Sequence, residues 1–124
     1  MDHMFIYGTL MRGEEREGLL LHLVRIPATS MGRLWRAAAG YPVFEPDGAG
    51  VPIHGELVPM DDPALLQMLD LIEGVAGGLY SRSKVDTTSD NGPKQAWTYV
   101  MDQHQRRRAG CTPIKATDWR SHRR

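Results

Sequence analysis

The segment MFIYGTLMRG, residues 4–13, begins as an apolar run of β-prone residues and breaks at Gly8. The acidic segment 14–17 follows it. This order predicts a strand, a tight loop and then a helix with acidic side chains in its first turn. A loop of this kind directs successive backbone N–H groups at one point and can bind a carboxylate or a phosphate. In the alternative interpretation, Gly8 and Gly13 only let the chain turn.

The composition is that of one globular domain. The chain has 124 residues, of which 41% are hydrophobic and 24% charged, and its formal net charge is zero. We therefore expect a single domain over residues 1–124 and no field that would draw nucleic acid or a membrane to it. The one cysteine, Cys111, excludes an internal disulfide and favours a reducing compartment. With no signal sequence and no apolar run of about 20 residues, the predicted location is cytoplasmic.

The charges are distributed unevenly. Counted along the sequence, residues 1–101 hold 8 Lys/Arg and 13 Asp/Glu, whereas residues 102–124 hold 7 and 2. The body is acidic and the tail from about residue 102 is basic. A basic tail can contact phosphates, but such runs are more often solvated.

Periodicity and turn signals place the remaining elements. We expect a short helix or irregular apolar segment over residues 14–25, a turn at 46–50, a hairpin at Asn91-Gly92, and strands at 31–39, 51–59, 80–88 and 96–101. Gly55 inside a strand predicts a bend or a close backbone approach. The sum is an α+β fold, a small mixed curved sheet or β-barrel flanked by helices.

The clearest helix covers residues 63–73. Asp61 or Asp62 caps it, Pro63 occupies its first position, and Gly74 ends it. Its apolar face consists of Leu65, Leu66, Met68, Leu69 and Ile72. Glu73 lies at the C-terminal end, where unsatisfied carbonyls disfavour the ionised carboxylate and so raise its pKa toward that of a general base. A solvated glutamate, or one paired with Arg82, is the alternative.

Five motifs then occur in one order along the chain: FIYGTLxRG at 5–13, GYP at 40–42, GEL at 55–57, LDxxEG at 69–74 and YxR at 80–82. Together they resemble the γ-glutamylcyclotransferase family, which includes the γ-glutamylamine cyclotransferases and the plant avirulence-induced-gene proteins. The resemblance runs from about residue 4 to residue 101. It implies a curved β-barrel flanked by helices, and cyclisation of a γ-glutamyl amine or peptide to 5-oxoproline with release of a free amine.

The resemblance also implies roles for individual residues. Glu73 falls on the catalytic glutamate, acting as base and then as acid without metal, cofactor or covalent intermediate. The substrate-binding positions it implies are Tyr7, Gly8, Thr9, Leu10, Tyr80 and Tyr99. Tyr41 and Pro42 match a turn and are interpreted as architectural, Arg82 is given a structural role, and the final tryptophan, Trp119, is expected to pack back on the domain.

Two functions from different classes remain open. The first is an enzyme acting on a small γ-glutamyl molecule, and the second is a non-catalytic binding module that keeps the same pocket. With one cysteine and no HxxxH spacing, no metal site is expected. The acidic residues of the body favour a cationic leaving group. The sequence does not identify the leaving amine or peptide, and it sets no expectation for the oligomeric state.

Overall fold

The structure, a computed structural model, describes residues 2–8, 11, 23–75 and 77–123. Its strands are β1 (His3–Ile6), β2 (Ile26–Arg36), β3 (Pro42–Pro46), β4 (Val51–Pro59), β5 (Ser81–Ser89), β6 (Gly92–Val100) and β7 (Thr112–Pro113). Its helices are α1 (Pro63–Ile72), α2 (Gln103–Arg108) and α3 (Trp119–Arg123). The helix or irregular segment expected over 14–25 lies outside the described residues except for its last three.

Five strands close into a barrel in the order β1–β4–β2–β3–β6 and back to β1. The pairs β1–β4, β4–β2 and β2–β3 are antiparallel, whereas β3–β6 and β6–β1 are parallel. Strand β5 lies antiparallel to β6 and reaches the start of β2, and β7 pairs with the end of β2. The expected α+β barrel flanked by helices is confirmed.

The barrel has an apolar interior and an apolar outer face under α1. Alternate residues of β1 point to the two faces of the barrel wall. Phe5 lies in the interior cluster, and Met4 and Ile6 lie in the outer cluster. The interior also holds Leu34, Phe44, Ile53 and Leu57, and the outer cluster holds Val43, Val58, Leu65 and Leu69. Because both faces of β1 are covered, its sequence is a continuous apolar run rather than an alternating one.

Helix α1 begins and ends close to where its sequence predicts. The Asp62 side chain accepts a hydrogen bond from the Ala64 N–H at 2.9 Å, and Pro63 is the first helical residue. Leu65 and Leu69 are buried on the barrel, as expected. Met68 is 37% exposed, because the five apolar positions span a wider arc of the helix than the barrel covers.

Strand β2 starts earlier and ends earlier than expected. It covers Ile26–Arg36, and residues 37–40 form the turn to β3. Residues 26–30 are not expected to be part of the strand, because Pro27 argues against a central strand.

In β4, Ile53, Gly55 and Leu57 share the buried face as expected, but Val58 and Glu56 on the other face are buried too. Glu56 tolerates this position because Arg25 pairs with it at 3.1 Å.

The C-terminal part of the chain packs on the barrel. Trp119 is 2% exposed and belongs to the interior cluster, so the expectation that it packs back is confirmed. Two of the basic side chains are engaged locally: Arg106 contacts Glu45 and the Trp35 ring, and Arg120 pairs with Asp118. Part of the positive charge of this segment is therefore neutralised by ion pairs within the fold.

At Gly55, β4 lies close against the end of β1. A Cβ at this position would collide with the backbone oxygen of Ile6 and lie 2.6 Å from Cζ of Phe5. Gly55→Ala is expected to lower the free energy of unfolding by about 1–3 kcal/mol, because neither backbone nor a packed ring can move away cheaply. Thermal unfolding followed by circular dichroism measures this.

The matched control is Gly48→Ala, in the turn between β3 and β4, where nothing lies within 4 Å of an added Cβ. This variant should unfold within about 0.5 kcal/mol of the parent. Equal stability of the two variants would contradict the close approach described for Gly55.

Candidate active site between the barrel and the end of helix α1

The end of α1 is fixed by hydrogen bonds of its own backbone. The Gly74 N–H donates to Leu71 O at 3.2 Å and the Val75 N–H to Asp70 O at 3.0 Å. Gly74 has φ +65°, a left-handed conformation in which a side chain would be strained. This is a Schellman C-cap, with Glu73 as the capping residue. The cap fixes the direction in which the Glu73 side chain leaves the helix.

Glu73 and the segment after β1 meet at one cavity of about 120 Å³. The described residues that line it are Phe5, Ile6, Tyr7, Gly8, Tyr41, Pro42, Ile72, Glu73, Leu79, Tyr80 and Tyr99. Of these, Glu73 is the only carboxylic acid, and none is a lysine, an arginine or a histidine. The cavity is therefore apolar over most of its wall, with one carboxyl group.

All four tyrosines of the chain line this cavity. Burial raises the pKa of Tyr7, Tyr80 and Tyr99 well above the usual 10.0, and the negative charge of Glu73 raises each of them further. The phenols stay neutral because an anion in this apolar space would lose its hydration next to a carboxylate. The Glu73 carboxylate thus lies within electrostatic range of three tyrosine hydroxyls.

The proton of each of these hydroxyls is already donated. Tyr7 Oη donates to Tyr99 O at 2.6 Å, Tyr80 Oη donates to Pro42 O, and Tyr99 Oη donates to the Asp70 carboxylate at 2.7 Å. A phenol has one proton to donate but also accepts hydrogen bonds. Toward a ligand, these oxygens can therefore act only as acceptors.

Asp70 holds Tyr99 from behind the cavity. Its Oδ1 accepts from Tyr99 and lies 2.9 Å from Nε of Arg82, and the Arg82 guanidinium lies over the Trp97 ring. Arg82 thus has a structural role, as expected, but it pairs with Asp70 rather than with the expected Glu73 or Glu56. Sequence reasoning did not single out Asp70; its position one helical turn before Glu73 was the signal that could have found it.

The structure brings five of the expected site residues to the cavity: Tyr7, Gly8, Glu73, Tyr80 and Tyr99. Thr9 and Leu10 lie outside the described residues. Tyr41, interpreted as architectural, also lines the cavity and packs on Tyr80 with ring centroids 6.0 Å apart. Pro42 packs so closely on Gly8 that position 8 has no room for a side chain, because a Cβ there would lie 2.5 Å from Cγ of Pro42. The roles assigned to these residues stay predictions.

The raised tyrosine pKa values predict how stability depends on pH. The pKa is raised in the folded state, so the folded protein keeps phenol protons that the unfolded chain releases. Stability should be unaffected by these groups below pH 10.0, the ordinary tyrosine pKa, and should fall as the pH rises above it. Denaturant unfolding over a pH series, with phenolate absorbance recorded in parallel, measures both effects.

The urea-unfolded chain is the control, since its four tyrosines should ionise near the ordinary value. Ionisation of the folded protein with the same midpoint, while its circular dichroism remains native, would contradict the buried, neutral tyrosines.

The described residues were also compared with the requirements of a membrane-spanning helix and of a metal site. Among the described residues, every helix is too short or too polar to cross a bilayer. The same residues contain no cluster of three or more His, Cys, Asp or Glu side chains arranged to hold a metal ion.

Solved structures with this architecture come from bacteria, archaea, plants, a yeast and the mouse. YkqA from Bacillus subtilis is 27% identical with a TM-score of 0.75, and the match covers 98% of this chain and 40% of that one. The chain thus spans less than half the length of that protein. An AIG2-like protein from Mus musculus is 23% identical with a TM-score of 0.63, covering 82% and 77%.

A third neighbour, the uropathogenic Escherichia coli-specific protein c4763, is 21% identical with a TM-score of 0.73, covering 98% of this chain and 94% of that one. At such identities the mouse and E. coli proteins establish the fold alone. No curated protein matches the sequence significantly. The family model described as "Gamma-glutamyl cyclotransferase, AIG2-like" matches residues 4–121. The chain belongs to the gamma-glutamyl cyclotransferase, AIG2-like family.

Proposed function

We propose that this protein is a γ-glutamyl cyclotransferase, which converts a γ-glutamyl amine or peptide to 5-oxoproline and a free amine. The observation that supports the proposal most is that Glu73 shares one small cavity with Gly8 and with Tyr7, Tyr80 and Tyr99. Family membership supports the reaction class. A cytoplasmic location, a small γ-glutamyl molecule as ligand and action without a cofactor belong to the same proposal.

The size of the cavity suits one small ring. Its volume is about 120 Å³, and an apolar cavity of about 150 Å³ accommodates a benzene molecule. The product of the proposed reaction is a five-membered ring that carries a carboxylate. A glutamyl chain folded toward that ring would fill the cavity, and the leaving amine would extend outside it.

The polar groups of the cavity that the structure describes match the ammonium end of a glutamyl group. The α-ammonium is a donor and a cation, so it suits the Glu73 carboxylate and the lone pairs of tyrosine oxygens whose protons are donated elsewhere. The α-carboxylate needs donors. Backbone N–H groups of the segment that follows β1, from Gly8 to Leu10, would supply them.

In the reaction, Glu73 accepts a proton from the α-ammonium and leaves a neutral amine. That nitrogen attacks the γ-carbonyl carbon of the same molecule, which forms the new C–N bond of the ring. Glu73 returns this proton to the departing nitrogen as the original amide C–N bond breaks. It then takes the second proton from the ring nitrogen, which becomes the lactam N–H, and passes it to the departing amine, which leaves as an ammonium ion. One carboxyl group serves as base and acid, so atoms and charges balance within substrate and protein.

Most of the rate enhancement would come from positioning. A γ-glutamyl amide is extended in solution, and a cavity that binds both ends of the glutamyl group brings the α-nitrogen close to the γ-carbon. The end of α1 and the tyrosines are held in place by hydrogen bonds, so little would be lost to reorganisation. The binding module remains the alternative, since a pocket on this fold does not by itself require catalysis.

Glu73→Gln is expected to lower kcat by about 10²–10⁴-fold, because the amide keeps the shape of the side chain but cannot accept the proton. Release of 5-oxoproline from a panel of γ-glutamyl amines and dipeptides, quantified by mass spectrometry, measures this. Asp61→Asn, at the opposite end of the same helix, removes an exposed carboxylate far from the cavity and should leave the rate unchanged.

Thermal unfolding of both variants excludes a loss of fold as the cause. An active Glu73→Gln variant would remove Glu73 from the mechanism. If the parent forms no product from any substrate but binds 5-oxoproline or a γ-glutamyl compound, the binding module is correct instead.

A further inference from the structure

The last residue of β2 carries a cation on the cavity side of the barrel. Arg36 pairs directly with Pro42 of β3. Side chains of directly paired residues leave the sheet on the same face. Pro42 lines the cavity and lies against Gly8. The register therefore directs Arg36 toward the same end of the barrel as the cavity mouth.

The position of the guanidinium agrees with the register. Nη2 of Arg36 lies 3.5 Å from where a Cβ of Gly40 would be, and the next residue, Tyr41, forms part of the cavity wall. Arg36 is exposed, and within the described part of the chain its side chain forms neither a hydrogen bond nor an ion pair. Arg33, earlier on the same strand, instead lies 3.5 Å from the Asp47 carboxylate.

The surroundings of Arg36 add positive charge. Ala38, in the turn after Arg36, donates its N–H to Ala109 O at 3.0 Å, which brings the end of α2 to this turn. Arg107 and Arg108, the last residues of α2, are exposed. Glu45 does not offset them, because Arg106 pairs with it at 3.4 Å and Trp35 donates to it at 3.1 Å.

We propose that Arg36 binds a carboxylate on the leaving half of the substrate, so that the preferred substrates are γ-glutamyl α-amino acids rather than γ-glutamyl amines without an acid group. This inference depends on the proposed function. The cavity accommodates little more than the glutamyl group, and Arg36 lies outside it, beside the part of the substrate that extends to solvent. A guanidinium binds a carboxylate through paired hydrogen bonds.

The positive charges near Arg36 contrast with the net negative charge of residues 1–101. Residues 1–101 are acidic overall, which favours a cationic leaving group. The charges around the turn after Arg36 nevertheless have the opposite sign, and at short range they outweigh more distant screened charges.

The test compares two substrates that differ in one group, γ-glutamyl-alanine and γ-glutamyl-alaninamide. Initial rates of 5-oxoproline release give kcat and KM for the parent, for Arg36→Gln and for the control Arg33→Gln. The parent should prefer the acid. Arg36→Gln should lower kcat/KM for the acid by about three- to thirtyfold, mainly through KM, and leave the amide unaffected. Arg33→Gln should behave as the parent with both.

Each other outcome overturns the inference. An equal loss on acid and amide would mean that Arg36 serves the glutamyl half or the fold, and no loss would mean that it contacts no carboxylate. If the parent releases 5-oxoproline from both substrates without preference, the cyclotransferase function stands and the role of Arg36 is wrong. If the parent releases it from neither but acts on another member of the γ-glutamyl panel, the role of Arg36 is wrong and the cyclotransferase function stands. If no member of the panel reacts, both proposals fail.

Discussion

Strand β1 must pair with two strands and bury both of its faces, and the rest of the structure depends on this. Its neighbours β4 and β6 close the barrel only through it. Phe5 fills the interior while Met4 and Ile6 form the surface on which α1 packs. The chain leaves this strand at Tyr7 and Gly8, directly at the cavity. Closure of the barrel and placement of the site are therefore consequences of the same few residues.

Local signals made part of the fold predictable. The N-cap Asp62, Pro63 and the left-handed Gly74 each act within a few residues, so the bounds of α1 could be found from sequence. The hairpin was predictable for a similar reason, although Gly92, with φ +95°, adopts the left-handed conformation and Asn91 does not. Pairing between distant segments carries no such local signal. The parallel contacts of β6 with β1 and β3 decide the closure, and nothing in a single strand specifies its partner.

The residues of the candidate site also fall into two groups, those with a local sequence signal and those defined by partners far away in the chain. Glu73 could be found because it ends a clear helix before a glycine, and Tyr7 and Gly8 because they end the opening strand. Tyr41 and Asp70 matter through partners 29–39 residues away in the chain, Tyr80 for the first and Tyr99 for the second. A tyrosine in a turn or an aspartate on a helix is unremarkable until those partners are placed. The position of Arg36 near the cavity likewise follows only from its register with Pro42.

The turn formed by residues 37–40 edges the cavity without contributing to the pairing that closes the barrel. The β2–β3 ladder ends at the pair Arg36–Pro42, and Ala38 and Ala39 are exposed. Insertions or exchanges there would reshape the entrance while α1 and its carboxylate keep their positions. An architecture of this kind can diversify what its cavity binds by loop grafting, with Glu73 and the barrel inherited unchanged.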